Sequence, residues 1–172
     1  MISLVKALPR RWLGLPVIAA LLAAVGCSAT NRAASDLPAP TPTGQQAAHC
    51  SALHTKLPAT LEGMKRHALQ SDSDFIAAWG EPTITLQCGV SRPLIVTPGY
   101  KRYNPYAPTI EIGGVEWLPE EQPDGSVRCT TSKREAWVEV TATPKYAKNS
   151  GEFGMLTGLS DVVAKTVPYG TI

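Results

Sequence analysis

Apolar and polar residues alternate along residues 83–90, which is the pattern of a strand with one buried face. Every second side chain in this segment is apolar, so one side of the strand would meet a core and the other would meet water. The inward set is Ile84, Leu86, Cys88 and Val90. The alternation therefore predicts a half-buried strand in the middle of the chain.

Three more strands are predicted downstream. They cover about 109–118, 127–131 and 135–143. The turn residues Pro123-Asp124-Gly125 precede the second of them. Because short turns join these three segments, we expect them to form an antiparallel meander.

Helical patterns are found on both sides of the strands. Residues 48–56 predict a short helix before Pro58, and residues 151–167 carry apolar side chains at helical spacing before Pro168. Shorter helical turns are predicted at 61–67 and at 75–79. Asp72 or Asp74 would cap the latter.

Together these elements predict an α+β fold. We expect a small two-layer domain of about four mainly antiparallel strands, with helices at both ends packed on one face of the sheet. Residues 49–172 would form this single domain, a length that suits one hydrophobic core.

The N-terminal segment has the layout of a secretory signal. An apolar run of about 14 residues follows three basic residues, and it is shorter than the roughly 20 that a membrane-spanning helix needs. The run ends in Val25-Gly26-Cys27, which resembles the lipobox of bacterial lipoproteins. This resemblance implies that residues 1–26 are a signal peptide and that Cys27 is lipidated. The protein would then be anchored on the extracytoplasmic face of the cell membrane.

Residues 27–48 are rich in Pro, Ala and Thr and contain a single large apolar residue, Leu37. Such a segment buries too little apolar surface to offset the entropy of ordering. We therefore predict a disordered tether between the lipid and the domain.

The net charge argues against a nucleic-acid partner. The whole chain has 16 basic and 14 acidic residues. Loss of Lys6, Arg10 and Arg11 with the signal would leave 13 basic and 14 acidic side chains. A mature chain near neutrality has no cationic excess to attract a polyanion.

Three cysteines remain after Cys27, namely Cys50, Cys88 and Cys129. Outside the membrane thiols tend to be oxidised, and an odd number leaves one over. Cys88 faces the predicted core, and Cys50 lies on the leading helix that would cover this face. Cys129 shares the inward face with Val127, so both Cys50–Cys88 and Cys88–Cys129 are open.

A family resemblance is carried by Trp79-Gly80-Glu81-Pro82 and by Leu86-Gln87-Cys88-Gly89-Val90. These residues resemble the core motif of actinobacterial domain of unknown function 3515, although Glu81 and Gln87 replace the commoner Asp and Arg. The resemblance implies an exported envelope protein and implies no activity. It also favours the Cys50–Cys88 disulfide, because both positions match cysteines of the family motif.

One loop is a candidate binding site. It carries three tyrosines and two basic residues: Tyr100, Lys101, Arg102, Tyr103 and Tyr106. Aromatic faces with cations nearby suit sugars, phosphates or a protein surface. The alternative interpretation is a long connection whose tyrosines pack on the edge of the domain.

No catalytic or metal-binding pattern is recognisable. His49, His54 and His67 lack the spacing of a metal motif, and the predicted domain, residues 49–172, contains no G-x-S-x-G or S-x-x-K sequence. We therefore expect no metal, no cofactor and no enzymatic activity. Trp79, Trp117 and Trp137 are expected in or beside the core.

The leading functional hypothesis is a lipid-anchored, non-catalytic envelope module that binds or scaffolds another component. The alternative is a ligand carrier or glycan-binding lipoprotein that uses the Tyr100–Tyr106 loop. An enzyme of unrecognised type is the third class. The expected partners are the membrane, through the lipid on Cys27, and an envelope protein, lipid or glycan.

Overall fold

The computed structural model describes residues 37–69, 71, 73–81, 83–150 and 153–170. Within these residues the chain forms three α-helices and one eight-stranded sheet. The helices are α1 (Gly44–Lys56), α2 (Pro144–Ser150) and α3 (Gly154–Thr166). The strands are β1 (Thr60–Leu61), β2 (Met64–His67), β3 (Ile76–Trp79), β4 (Ile84–Cys88), β5 (Ile110–Ile112), β6 (Val115–Glu121), β7 (Val127–Ser132) and β8 (Val138–Ala142).

All neighbouring strands are antiparallel, in the order β1-β2-β3-β4-β8-β7-β6-β5. The strand predicted at 83–90 is present as β4. The predicted meander is confirmed, because β6 pairs with β7 and β7 pairs with β8. Strand β8 then pairs with β4, which joins the two halves of the chain into one sheet.

The predicted fold class, with about four strands, is wrong, because the sheet has eight. Residues 61–67, expected to be helical turns, contribute to the β1–β2 hairpin, whose turn residues Glu62 and Gly63 have φ angles of 50° and 75°. Residues 75–79, expected to be a capped helix, contain β3, in which all four side chains are buried. A short apolar run of this kind does not distinguish a helix from a strand that is buried on both faces.

One segment predicted as a single strand forms two strands. The segment 109–118 is a hairpin of β5 and β6 rather than one strand. Its turn is Gly113-Gly114, where both φ angles are positive, at 58° and 74°. Glycine adopts this conformation at little cost, so the pair reverses the chain in two residues.

The face of the sheet that α1 and α3 cover is called here the helix face. Apolar residues alternate onto it from each long strand, as the strand patterns predicted. They join Met155, Leu156, Leu159 and Val163 of α3 in one buried cluster. The strand members are Ile84, Leu86, Cys88, Val115, Trp117, Val127, Cys129, Val138, Val140 and Ala142.

Two polar side chains, Trp117 and Arg134, hold α3 on this face. The indole of Trp117 donates a hydrogen bond to the Ser160 hydroxyl of α3 at 3.0 Å. The buried guanidinium of Arg134 donates to the Val167 carbonyl just beyond α3, at 3.1 Å, and to the Gly114 carbonyl. The carbonyl end of a helix carries partial negative charge, which suits a cation. Arg134 therefore ties α3 to the β5–β6 hairpin.

Residues 37–48, part of the predicted tether, lie against the domain. The Gln87 amide donates to the Pro38 carbonyl at 2.9 Å, and a Cβ added at Gly89 would stand 2.6 Å from the Pro42 ring. Helix α1 then begins at Gly44 rather than near residue 48. Proline pre-sets an extended backbone, so this segment loses little entropy on docking. The signal peptide, Cys27 and the tether up to residue 36 lie outside the described residues.

Candidate functional site

The predicted disulfide is confirmed. It joins Cys50 of α1 to Cys88 of β4, with the two Cα atoms 5.5 Å apart, inside the usual range for a bridge. Cys129 is buried on the helix face and takes no part in this bond. The disulfide is enclosed in the core, so its contribution is to stability rather than to a surface site.

The opposite side of the sheet, called here the loop face, carries polar side chains. The strand register places them in two neighbouring rows that cross β4, β8, β7 and β6. The first row is Thr85, Thr141, Arg128 and Glu120; the second is Gln87, Glu139, Thr130 and Leu118. Thr130 and Leu118 are nevertheless only 1% and 3% exposed, so this face is also covered.

The cover is the 91–109 loop, which connects β4 to β5. A ladder of turns builds it, with backbone hydrogen bonds such as Thr97 N–H to the Leu94 carbonyl and Tyr103 N–H to the Tyr100 carbonyl. Asn104 N–H closes the loop on the Ile95 carbonyl at 2.7 Å. A surface loop closed on itself in this way holds its side chains in place without regular secondary structure.

An ionic cluster lies in the middle of the loop face. Arg128 reaches Glu120 on β6 at 3.0 Å and Glu139 on β8 at 3.6 Å. Burial raises the pKa of Glu139; the Arg128 cation opposes this shift and the Glu120 carboxylate adds to it. Partly buried ions lose hydration, and this cost offsets much of their mutual attraction. The cluster therefore contributes little to the free energy of unfolding, but it fixes the positions of three charged side chains.

An open groove separates the 91–109 loop from the turn end of the β6–β7 hairpin. Its volume is about 760 Å³. Tyr100, Arg102 and Leu94 line it from the loop, and Glu120 and Arg128 line it from the strands. The groove therefore joins an aromatic ring, aliphatic carbon and both signs of charge.

A smaller cavity continues between the loop and the sheet. It measures about 340 Å³, and Val96, Leu118 and Trp137 contribute to its walls. The Arg92 guanidinium lies over the Trp137 ring, 5.8 Å from its centre, which is a cation–π distance. The loop thus rests partly on Trp137, which is half-buried on the loop face, while Trp79 and Trp117 are fully buried.

The five loop residues singled out from the sequence do not form one site. Tyr100 and Arg102 line the groove. Lys101, Tyr103 and Tyr106 are exposed to solvent, and Tyr106 is 90% exposed. The sequence analysis missed Leu94, Arg128 and Glu139. The last two could have been found, because the alternation that places Val127 and Val138 inward places their neighbours Arg128 and Glu139 outward.

The three histidines do not share one partner. His49 Nε2 is 2.9 Å from Glu135, and His54 Nδ1 is 3.2 Å from Asp74. His67 is exposed on β2. Across the described part of the chain, no three His, Cys, Asp or Glu side chains are grouped as a metal site would require. No helix within that part is both long and apolar enough to cross a bilayer.

The fold and the groove together define a β-rich domain with one structural face and one polar, loop-covered face. A family model described as a protein of unknown function, DUF3515, matches residues 12–172, so the chain belongs to this family. This confirms the resemblance drawn from the W-G-E-P and C-G-V motifs. No curated protein and no solved structure matches the chain.

Proposed function

We propose that this protein is a non-catalytic binding module of the cell envelope, held at the membrane by a lipid on Cys27. The binding surface is the 91–109 loop together with the groove that it forms over the loop face. The family match supplies no activity, so the proposal rests on the physical character of this surface.

The observation that carries the proposal is the exposure of large apolar side chains. Four are exposed among the described residues, and Leu94, Tyr103 and Tyr106 all belong to this loop. The fourth is Tyr169, close to the C-terminus. Clustered exposed apolar groups mark interaction sites, and tyrosine is enriched where proteins meet.

The groove beside these side chains suits a protein or peptide partner. Its charged residues, Arg102, Glu120, Glu121 and Arg128, lie beside aliphatic and aromatic carbon. Protein interfaces combine an apolar centre with a polar rim in the same way. Because hydrogen bonds hold the loop in shape, a partner would meet a largely preformed surface.

A second candidate is a glycan- or ligand-carrying lipoprotein. Tyr100 lines an open groove of about 760 Å³ beside Arg102 and Glu120, which is the combination of ring, donor and acceptor that sugars use. In this case the ligand would occupy the groove, whereas Tyr103 and Tyr106 would contribute little.

A comparison of variants tests the proposal and separates the two candidates. The tagged protein would be isolated from its own membranes with bound proteins, lipids and glycans identified by mass spectrometry. We expect a Leu94→Ala/Tyr103→Ala/Tyr106→Ala variant to lose a specific protein partner, while Tyr169→Ala keeps it. Loss of a glycan with Tyr100→Ala, without loss of any protein, would favour the carrier. Identical recoveries from all variants would contradict both.

The anchor is tested separately. Cys27→Ser should prevent acylation and normal processing, so acyl chains disappear from the purified protein. Retention of acyl chains in this variant would contradict the lipid anchor. That result would not test the binding surface, which the loop variants test separately.

A further inference from the structure

A second cavity lies at the other end of the molecule. It is bounded by the C-terminal end of α1, strand β2 and the segment that leads into β3, and its volume is about 590 Å³. It shares no lining residue with the groove of the 91–109 loop. Its polar lining residues include His54, Arg66, His67, Ser73 and Asp74.

Arg66 is the central cation of this cavity. It is half-buried, and among the described residues its side chain has one hydrogen-bond partner, the His54 carbonyl at 3.3 Å. That bond places the guanidinium at the carbonyl end of α1, where a cation is favourable. It uses only part of the donor fork, so the remaining N–H groups are available to a ligand.

Arg66 differs in this respect from Arg128. Arg128 lies between two carboxylates, which already satisfy a cation. The carboxylate in the Arg66 cavity is Asp74, and it lies 3.2 Å from His54 Nδ1. Among the described residues, the cavity therefore offers a guanidinium whose charge no carboxylate directly neutralises.

The other polar side chains that line the cavity can donate hydrogen bonds to an anion. His54 and His67 each offer a ring nitrogen that can donate when protonated. The Ser73 hydroxyl accepts a hydrogen bond from Phe75 N–H at 3.2 Å, so its own hydrogen is left to donate. Buried Ile76 and Ala77 form an apolar wall, which strengthens attraction between charges.

Burial acts on the ionisation of both Arg66 and His54. Burial lowers the pKa of Arg66. Burial also lowers the pKa of His54, Arg66 lowers it further, and Asp74 opposes the shift. A bound anion would favour the charged form of both groups.

We propose that this cavity binds a phosphate group, either as a free phosphate or ester or as a phospholipid headgroup. Arg66 provides the fixed charge, and His54, His67 and Ser73 donate to the remaining oxygens. The guanidinium fork matches phosphate geometry, and the other donors line the same cavity. The site goes beyond the proposed partner surface and does not depend on it.

The test uses the full-length protein, isolated from its own membranes in uncharged detergent. The His54 and His67 Cε1 proton signals would be followed by NMR during titration with inorganic phosphate, glycerol phosphate and a short-chain phosphatidic acid. Acetate would serve as the control anion at matched ionic strength. Saturable shifts with inorganic phosphate or glycerol phosphate indicate a soluble ligand. Saturation by the short-chain lipid alone indicates a headgroup.

Arg66→Ala should weaken phosphate binding by at least about tenfold. Lys65→Ala is the matched control, since Lys65 is the neighbouring cation on β2, is exposed and does not line the cavity. It should bind phosphate like the unaltered protein. Equal weakening by both substitutions would show a general charge effect and would overturn the proposal.

Asp74→Asn is a second variant that tests the site even if Arg66→Ala fails to fold. At alkaline pH this substitution removes a negative charge beside the phosphate. Binding should become a few-fold tighter, a gain that structural damage would not produce. The proposal is overturned if Asp74→Asn has no effect or weakens binding, if acetate binds as well as phosphate, or if no probe saturates the histidine shifts.

Discussion

The two faces of the sheet are built from the same strands, yet they differ in almost every physical property. On the helix face, Val138 and Val140 of β8 are completely buried under α1 and α3. On the loop face, Glu139 between them forms an ion pair with Arg128 and remains partly exposed. The period-2 alternation of strand side chains produces this contrast. Stability therefore concentrates on one face, which leaves the other able to carry binding groups.

The loop face also contains a buried polar group without a partner in the described part of the chain. The Thr130 hydroxyl is buried and has no hydrogen-bond partner among the described residues. Buried polar groups normally find partners, because leaving one unsatisfied costs about 1–3 kcal/mol.

The largest expected effect compares two tryptophans on opposite faces. Trp117→Ala should lower the free energy of unfolding by about 3–5 kcal/mol, because it empties a large core volume and removes the partner of Ser160. Trp137→Ala removes a half-buried ring under Arg92 and should cost about 1 kcal/mol. Urea unfolding measures both. Similar losses would break the distinction between a structural and a binding face.

The disulfide gives the second test of the helix face. Replacing Cys50 and Cys88 together by Ala should cost on the order of 3–4 kcal/mol, because the bond closes a long loop in the unfolded chain. Cys129→Ala, also in the core, removes only a small side chain and should cost about 1 kcal/mol. Thermal unfolding with and without reductant distinguishes the two. A larger effect at Cys129 would contradict this assignment.

Glu139 tests the loop face through its pH dependence. Because its pKa is raised in the folded protein, the folded state holds the proton more tightly than the unfolded state, whose ordinary value is 4.5. Ionisation therefore reduces stability as the pH rises from 4.5 through the folded pKa. Glu139→Gln avoids this loss, and its advantage should grow over the same range.

The Glu139 gain should stay below about 1 kcal/mol, since the carboxylate is partly solvated. Glu111→Gln, at an exposed glutamate on β5, is the control for removing one negative charge from the sheet. Melting temperatures measured across the acidic range would settle the matter. A Glu139→Gln variant that loses stability as the pH rises would show that the ion pair with Arg128 dominates.

The smallest expected change in stability is at the tip of the loop. Tyr106→Ala should alter the free energy of unfolding by less than about 0.5 kcal/mol, because its ring is 90% exposed. Chemical unfolding measures this directly. A loss comparable to that of Trp137→Ala would mean that Tyr106 supports the loop and is not free to meet a partner.

The sequence predicted the long strands better than the short ones. Alternation over 83–90 and 135–143 found β4 and β8, because each strand has one buried face. Strand β3 is apolar at every position, so its period is invisible and its length suits a single helical turn equally well. The β1–β2 hairpin is short and mostly polar, so it has no clear sequence pattern. It joins the sheet through the pairing of β2 with β3.

The candidate sites were predictable only in part. Tyrosines and cations drew attention to residues 100–106, and the structure places Tyr100 and Arg102 in the groove. Arg128 and Glu139 are far from that loop in sequence. The pairing of β8 with β7 places the two residues side by side, and the pairing of β8 with β4 places them near the loop that follows β4. Arg66 and Asp74 approach His54 through the fold of the β1–β2 hairpin. Such juxtapositions depend on long-range topology, which no local pattern contains.

Site-specific photo-cross-linking in the native envelope tests the central claim most directly. A photoreactive residue would replace Tyr106 on the loop, Tyr169 near the C-terminus or Asp161 on the exposed side of α3. The proposed binding surface predicts one discrete adduct from position 106 and none from positions 169 and 161. The same adduct from all three positions, or an adduct from position 161 or 169 alone, would contradict it.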